Sequence, residues 1–515
     1  MRKLWARIMG LACICTLIGS APLLGAQSTQ ANSSAENPGA AAQIPQTCRA
    51  LLPKESPLLS SLSAKPTART YEQLGTFYGR AGNPKCAIAA FQTALSLDSN
   101  ATQAHYSLGL ALIQDHHPQQ AAEELRIVIR QQPDSFSAHN ALGLAMQDQG
   151  DRQGAAIEFR RALKLNPAFS LAYYDFAQLL SSEHSYRAAV YYLKQGLASS
   201  PALGVAAQLK LALAVAYTHL GSYADSIPLF QELLAAQPES AELHFDLATT
   251  LAHQENYSAA VKEYKDVLRL DPNHQDARLL VAKALLNQSQ VEEALPYLRE
   301  YVRANPTEAE GLEVMGDALK DSSHPDEAVE VLARATKANP SSYKAYYDLG
   351  VVLGRMGKTE EAIRELQVAV RLKPDGAEAR YQLGQLLSKK KDPGAQAQFA
   401  AFEQLRQSEE RRTKASFLSN QAGDLLKNGH YAEGVERYRE ATSLEPKDPK
   451  LRYNLAIALS KLGSEKEEEH ELKQALELDP KFAQARNQLG SVLLREGRLA
   501  DAEREFKRAV ADDPQ

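Results

Sequence analysis

Hydrophobic positions along this chain recur with a fixed step. Prolines fall at 133, 167 and 201, at 238, 272, 306, 340 and 374, and at 446, 480 and 514, spaced by 34 residues within each group. Numbered within that period, position 7 carries a large apolar residue, as in Leu74, Leu108, Leu142, Phe176, Leu349 and Leu489, and position 8 is always Gly or Ala. Position 20 is mostly Ala, and position 24 is usually large and apolar, as in Phe91, Phe159, Phe230 and Phe506. Positions 4, 7, 8 and 11 share one face of a first helix, and 20, 24 and 27 share one face of a second. The small residues at 8 and 20 allow the two helices to approach closely, and the proline at 32 ends the second. One such hairpin cannot bury its own apolar face, so neighbours must stack to make a continuous core.

Thirteen repeats begin at 68, 102, 136, 170, 207, 241, 275, 309, 343, 377, 415, 449 and 483. Their columns resemble the tetratricopeptide repeat family, whose pattern places large, Leu-Gly, large, Ala, aromatic and Pro residues at these offsets. The resemblance implies an all-α, right-handed superhelical solenoid of about thirteen 34-residue helix-turn-helix repeats, its first helices lining the inner wall. In repeat ten, Phe399 and Phe402 lie one residue out of register, and no proline precedes the next repeat. The second helix is therefore expected to run on past Arg412. This seam separates repeats one to ten (68–410) from eleven to thirteen (411–515), unless it is only a longer helix.

The first 26 residues have Arg2, Lys3 and Arg7 ahead of an apolar run from Ile8 to Ile18 and end on Leu24-Gly25-Ala26, the layout of a cleaved export signal. That run is too short to span a bilayer, which needs about 20 residues. An Ala-, Ser-, Gln- and Pro-rich leader (27–47) and a capping segment (48–67) with Leu58, Leu59 and Leu62 on one face follow. Export and cleavage leave Cys48 and Cys86 as the only cysteines, in a compartment that permits a disulfide. Cys86 is at position 19, off the inward set, where a returning Cys48 could meet it; two separate thiols are the alternative. With 44% hydrophobic and 23% charged residues and a formal charge of -5, the chain has no global positive field for nucleic acid.

Gly357-Lys358-Thr359 imitates the end of a phosphate-binding loop. However, Val352 stands where that loop needs glycine, and the tripeptide falls at positions 15 to 17, the bend between two helices. His116-His117 falls in another such bend, with no further ligand at metal spacing. The apolar stretch 203–221 contains Lys210 and His219 and reads as a core helix. No catalytic residue, cofactor or metal is expected. Candidate binding residues lie on the inner wall that the resemblance implies: Tyr106, Asn140, Tyr174, Phe245, Tyr347, Tyr381 and Tyr453 at position 5, and Asp175, Asp246, Asp348, Asn420 and Asn454 at position 6. Rings supply contact area at low entropy cost, and the polar groups suit peptide N–H groups. The same residues could instead serve packing between first helices. Position 13 turns basic late in the chain (Arg355, Lys389, Lys427, Lys461, Arg495), which suits an acidic partner segment or is simply solvated. Relatives that clamp a peptide carboxylate carry Lys at 5 and Asn at 9, a combination absent here.

These features point to an exported, non-enzymatic scaffold for a partner protein or extended peptide, without a stable membrane span. Two alternatives share the same surface: a substrate-holding subunit for a separate glycosyltransferase, and a polysaccharide-binding export factor, because tyrosines also stack on sugars.

Overall fold

A computed structural model describes residues 45–49 and 66–512. The export signal, most of the leader and the greater part of the capping segment lie outside the described residues. Among those described are 25 helices arranged as helix-turn-helix repeats, the short turn Gln46–Arg49, and no strand. No described helix is long and apolar enough to cross a membrane. The chain divides into two compact units, Met1–Gln290 and Val291–Gln515.

Each hairpin closes because a large side chain at position 24 fills a notch at position 8. A Cβ built on Gly75 would lie 2.6 Å from the Phe91 ring, and one on Gly143 would lie 2.7 Å from the Phe159 ring. Gly350 has the same relation to Leu366, and Gly490 to Phe506. The notch lets the helix axes approach until the ring is fully enclosed, as Phe159 is at 0% exposure. Repeat ten keeps the notch with a shifted register: Gly384 faces Phe399, at position 23. In repeat twelve, position 20 holds Glu468 in place of alanine, fully buried and bonded by Gln488 Nε2 at 2.7 Å and Arg495 Nη2 at 2.6 Å. Those two bonds offset the desolvation of its charge.

The bend between the two helices passes through the left-handed region at position 15. Gly82, Gly150, Gly221, Gly357, Gly429, Gly463 and Gly497 have positive φ there, and so do His116, His184, Glu255, Ser289 and Lys391. Gly357, at φ +80°, links Tyr343–Arg355 to Thr359–Leu372. Its surroundings are helical on both sides, so the tripeptide serves as a turn. The apolar stretch after residue 203 is the helix Leu203–His219, which buries Leu209, Leu213, Ala214 and Ala216.

A single 34-residue helix, Gly394–Lys427, supplies both the second helix of repeat ten and the first helix of repeat eleven. Ala395 near its start and Ala415, Leu418 and Ala422 near its end are buried, but no residue from Phe402 to Lys414 is. Arg406 bridges Glu403 and Glu410 along that bare stretch, the i,i+3 and i,i+4 pairing that supports a solvated helix. At the other end, Cys48 and Cys86 form a disulfide with Cα atoms 5.6 Å apart, and the Tyr78 hydroxyl donates to the Cys48 carbonyl at 2.7 Å. Both cysteines are buried, so the arriving segment covers the start of Pro84–Leu97.

Truncating Leu349 to Ala should cost about 2 to 5 kcal/mol in urea denaturation, whereas Lys358→Ala should stay within about 0.5 kcal/mol. Gly143→Val should cost about 1 to 3 kcal/mol by pushing on Phe159. Cys86→Ser, which opens a loop of 38 residues, should lower stability of the first repeat by about 3 to 4 kcal/mol, measured by hydrogen exchange in Ala68–Arg80.

Candidate binding wall on the first helices

Within each unit, first helices of successive repeats touch along part of the array. Ala68–Arg80, Thr102–Gln114, Phe136–Asp148, Ser170–Ser182 and Leu203–His219 do so in sequence in one unit, as do Ala309–Lys320, Tyr343–Arg355 and Ala377–Lys389 in the other. Second helices of adjoining repeats meet through long side chains, as in Arg299 to Glu327 at 2.6 Å and Arg439 to Glu467 at 2.5 Å. Positions 2, 5, 6, 9, 12 and 13 of the first helices form the wall that the family resemblance makes the inner one.

The candidate residues fall into separate groups on that wall. Asn140 Nδ2 donates to Asp175 Oδ2 at 2.7 Å, with the two side chains 1% and 2% exposed, so the pair ties the first helices of repeats three and four. Tyr106 is half-buried beside this pair, its phenol pushed up to about 12 by burial, with a Ser137 bond opposing and the Asp175 charge adding. Tyr174 is buried and accepts from Gln178 Nε2 at 2.9 Å. Phe245 is edge-on to Tyr264 and stacks on His274 at 4.8 Å, and Tyr347 stacks on Tyr343. Tyr381, 40% exposed, rests against Phe399 and Phe402, and Tyr453 against Phe482. Asn420 is exposed and Asn454 half-buried. Much of the aromatic column thus packs against its own and adjoining repeats, and Tyr381 is its most exposed ring.

The two aspartates at position 6 outside the Asn140 pair differ sharply. Asp348 is 1% exposed and receives Lys320 Nζ and Lys344 Nζ, each at 3.0 Å. Both lysines also reach Asp317, at 2.9 and 2.8 Å, which completes a neutral quartet. Burial pulls the Lys320 ammonium down, but its bonds to Asp317 and Asp348 outweigh this and leave it raised. Asp246 is half-buried, and burial, joined by the charge of Glu242, pushes its carboxyl up to about 7.

Helical spacing predicts an apolar position 4, and the structure corrects this. Here His or Arg side chains clamp three segments at once: His105, His139 and His244 reach Glu124, Glu158 and Glu263 at 2.5, 2.6 and 2.6 Å, and Arg452 and Arg486 reach Glu471 and Glu505 at 2.8 and 2.9 Å. The far side of each ring or guanidinium bonds a carbonyl of the preceding loop, such as Pro133 O or Pro446 O. The signal in the sequence is a basic residue followed by Glu nineteen positions later in five repeats. In repeat six, Asp266 joins His244 and Glu263, with ligand atoms within 4.8 Å of one another, but Asp266 also binds Arg269 at 3.2 Å. Repeats two and three form the same His–Glu pair without a third carboxylate, so the pair is explained as a clamp. Of the basic residues at position 13, Arg355 is held by Asp321, Lys427 by Asp424, and Arg495 by Glu465 and Glu468.

Models of the tetratricopeptide repeat match residues 73–115, 111–168, 174–241, 245–309, 314–353, 420–472 and 469–515, and a second model of the same repeat matches 355–391. The chain belongs to the tetratricopeptide repeat family. Members of the family are typically protein- or peptide-binding scaffolds and generally non-enzymatic. Among solved structures, this tetratricopeptide repeat protein is similar to MamA 41-end from Desulfovibrio magneticus RS-1, at 24% identity and a TM-score of 0.32, covering 33% of this chain and 96% of that one. It is also similar to YrrB, described as a TPR protein with an unusual peptide-binding site, at 22% identity, a TM-score of 0.29, and 44% and 96% coverage. The Cut9-Hcn1 structure of the APC/C matches over 89% of this chain and 96% of that one, at 14% identity and a TM-score of 0.35. No curated protein matches.

Because the Asp246 carboxyl is raised in the folded state, its contribution to stability is greatest below its unfolded range near 4 and is lost as pH rises through 7. Asp246→Asn should remove that dependence. At pH 8 the variant should exceed the wild type by about 2 kcal/mol in urea unfolding, a figure discounted for the partial solvent contact of the group.

Proposed function

We propose that this tetratricopeptide repeat protein is a non-enzymatic scaffold that holds an extended peptide or partner segment along the first-helix wall, in an exported, cell-envelope or secreted assembly. The observation that carries the reading is the wall itself: runs of touching first helices, from Ala68–Arg80 to Leu203–His219 and from Ala309–Lys320 to Ala377–Lys389, carry aromatic rings beside amide, hydroxyl and carboxylate groups. Such a surface meets both demands of an extended chain, apolar area for alternate side chains and polar partners for its backbone. A rigid array also meets the ligand already ordered, so association costs only the entropy of the ligand. Export is supported by Arg2, Lys3 and Arg7 before the apolar run and by a cysteine pair within bonding reach.

Probing an array of random twelve-residue peptides with the purified protein should give a reproducible set of binders, with Kd values from about 1 to 100 μM by anisotropy. Tyr381→Ala, which removes the most exposed ring of the column, should weaken those that contact the second unit. Absence of any binder, or sugar transfer on incubation with sugar nucleotides, overturns the scaffold reading. For export, a C-terminal alkaline phosphatase fusion should be active in whole cells and inactive once residues 1–26 are deleted.

A further inference from the structure

Asp246 and Asp348 hold the same repeat position in the two units, but only Asp348 has its counter-charges supplied by the chain. At Asp348 the occupant is visible: Lys344, at position 2 of the same helix, and Lys320, at position 12 of the preceding first helix, each place an ammonium 3.0 Å from one carboxylate oxygen. Asp246 occupies the same repeat position, 6, on Ala241–His253. The two places that supply ammonium groups to Asp348 hold Glu242 and Thr218 here. Glu242 repels a second carboxylate, and the Thr218 hydroxyl is engaged by Ser226 and Thr250 at 2.8 and 2.9 Å. Among the described residues, none forms a hydrogen bond or ion pair with the Asp246 carboxylate. A half-buried carboxylate lacking its counter-charge forgoes bonds of the charge-assisted kind, which are about twice as strong as neutral ones. Phe245, half-buried with its ring stacked on His274 and backed by the enclosed Tyr264, adjoins Asp246 and offers apolar surface to a side-chain stem.

We infer that Asp246, with Glu242, forms a cation socket on the wall of repeats five and six that takes a lysine or arginine side chain of the bound peptide. The inference rests on the peptide-scaffold reading and narrows it: the partner segment for the first unit is basic. In the second unit the chain fills the corresponding socket itself, so Asp348 offers no such place. Glu242 adds charge at the rim, and the Phe245 ring receives the methylene stem of a long basic side chain. Electrostatic recognition of this kind weakens with salt, since the rim is solvated.

The test uses the full chain and the peptide array. Binders should be enriched in Lys and Arg, and replacing the key Lys of a binder by norleucine, which keeps the stem and removes the charge, should weaken it by about tenfold or more. Asp246→Asn should cause a similar loss for the lysine peptide and leave the norleucine peptide unchanged. Glu242→Lys supplies an ammonium from the chain itself, as Lys344 does for Asp348. It should raise Tm while abolishing lysine-peptide binding, which separates an occupied socket from a misfolded one. Glu123→Gln, on an exposed second-helix position away from the wall, should change nothing. If peptides bind but lysine and norleucine versions bind alike, or Asp246→Asn has no effect, the socket is refuted and the scaffold reading stands. If no peptide binds, both fall.

Discussion

The seat of a position 24 side chain in the notch left by Gly or Ala at position 8 is the interaction on which the rest of this molecule depends. It fixes the distance between the two helices of a hairpin, and that distance sets which residues remain on the hairpin's outer faces to meet the next one. Because every hairpin buries only its neighbours, stability accumulates as a sum of nearest-neighbour terms rather than around one centre. The wall on the first helices follows from the same seat. Along that wall first helices touch one another, so a ligand there meets whatever polar and aromatic groups the first helices leave uncommitted.

That commitment is unequal along the chain. Side chains that sequence alone would offer to a ligand are partly consumed by the fold: Asn140 and Asp175 tie one pair of first helices, Asp348 is neutralised from two sides, and Tyr174 is enclosed. Buried charge pairs of this kind contribute little net stability but penalise any misregistered stacking, because an offset hairpin would strand a charge. A repeat array, whose units are alike enough to slip, gains particular benefit from such registration. The His or Arg clamps at position 4 have the same effect within a hairpin, tying both helices and the incoming loop at one point.

The fold is legible in the sequence because its cause is periodic. Leu349, Gly350, Ala362 and Leu366 announce their roles by spacing alone, and Gly357 is explained as a turn by the columns on either side of it. Positive φ at Glu255 and Lys391 shows that the bend is set by hairpin closure even where glycine is missing. The candidate site is less legible, because whether a polar residue is free depends on neighbours 28 to 35 residues away. Asp246 and Asp348 look identical in the repeat pattern and differ only through Glu242, Lys344, Thr218 and Lys320. Position 4 misleads for a related reason: helix geometry implies an apolar face, whereas the structure uses that place for a polar cross-tie. Glu468 in an alanine column becomes intelligible only with Arg495 beside it.

The uncovered middle of Gly394–Lys427 has a bearing on how this protein can vary. Inside a nested hairpin, inserting one amino acid would break a notch or a clamp. Between Phe402 and Lys414 no side chain is buried, so a residue added after Ser408 would advance everything beyond it by about 1.5 Å and turn it by a little over a quarter of a revolution without displacing a buried side chain from its seat. Evolution can therefore re-aim the last three repeats by altering length alone, a freedom that the tightly nested hairpins on either side do not have.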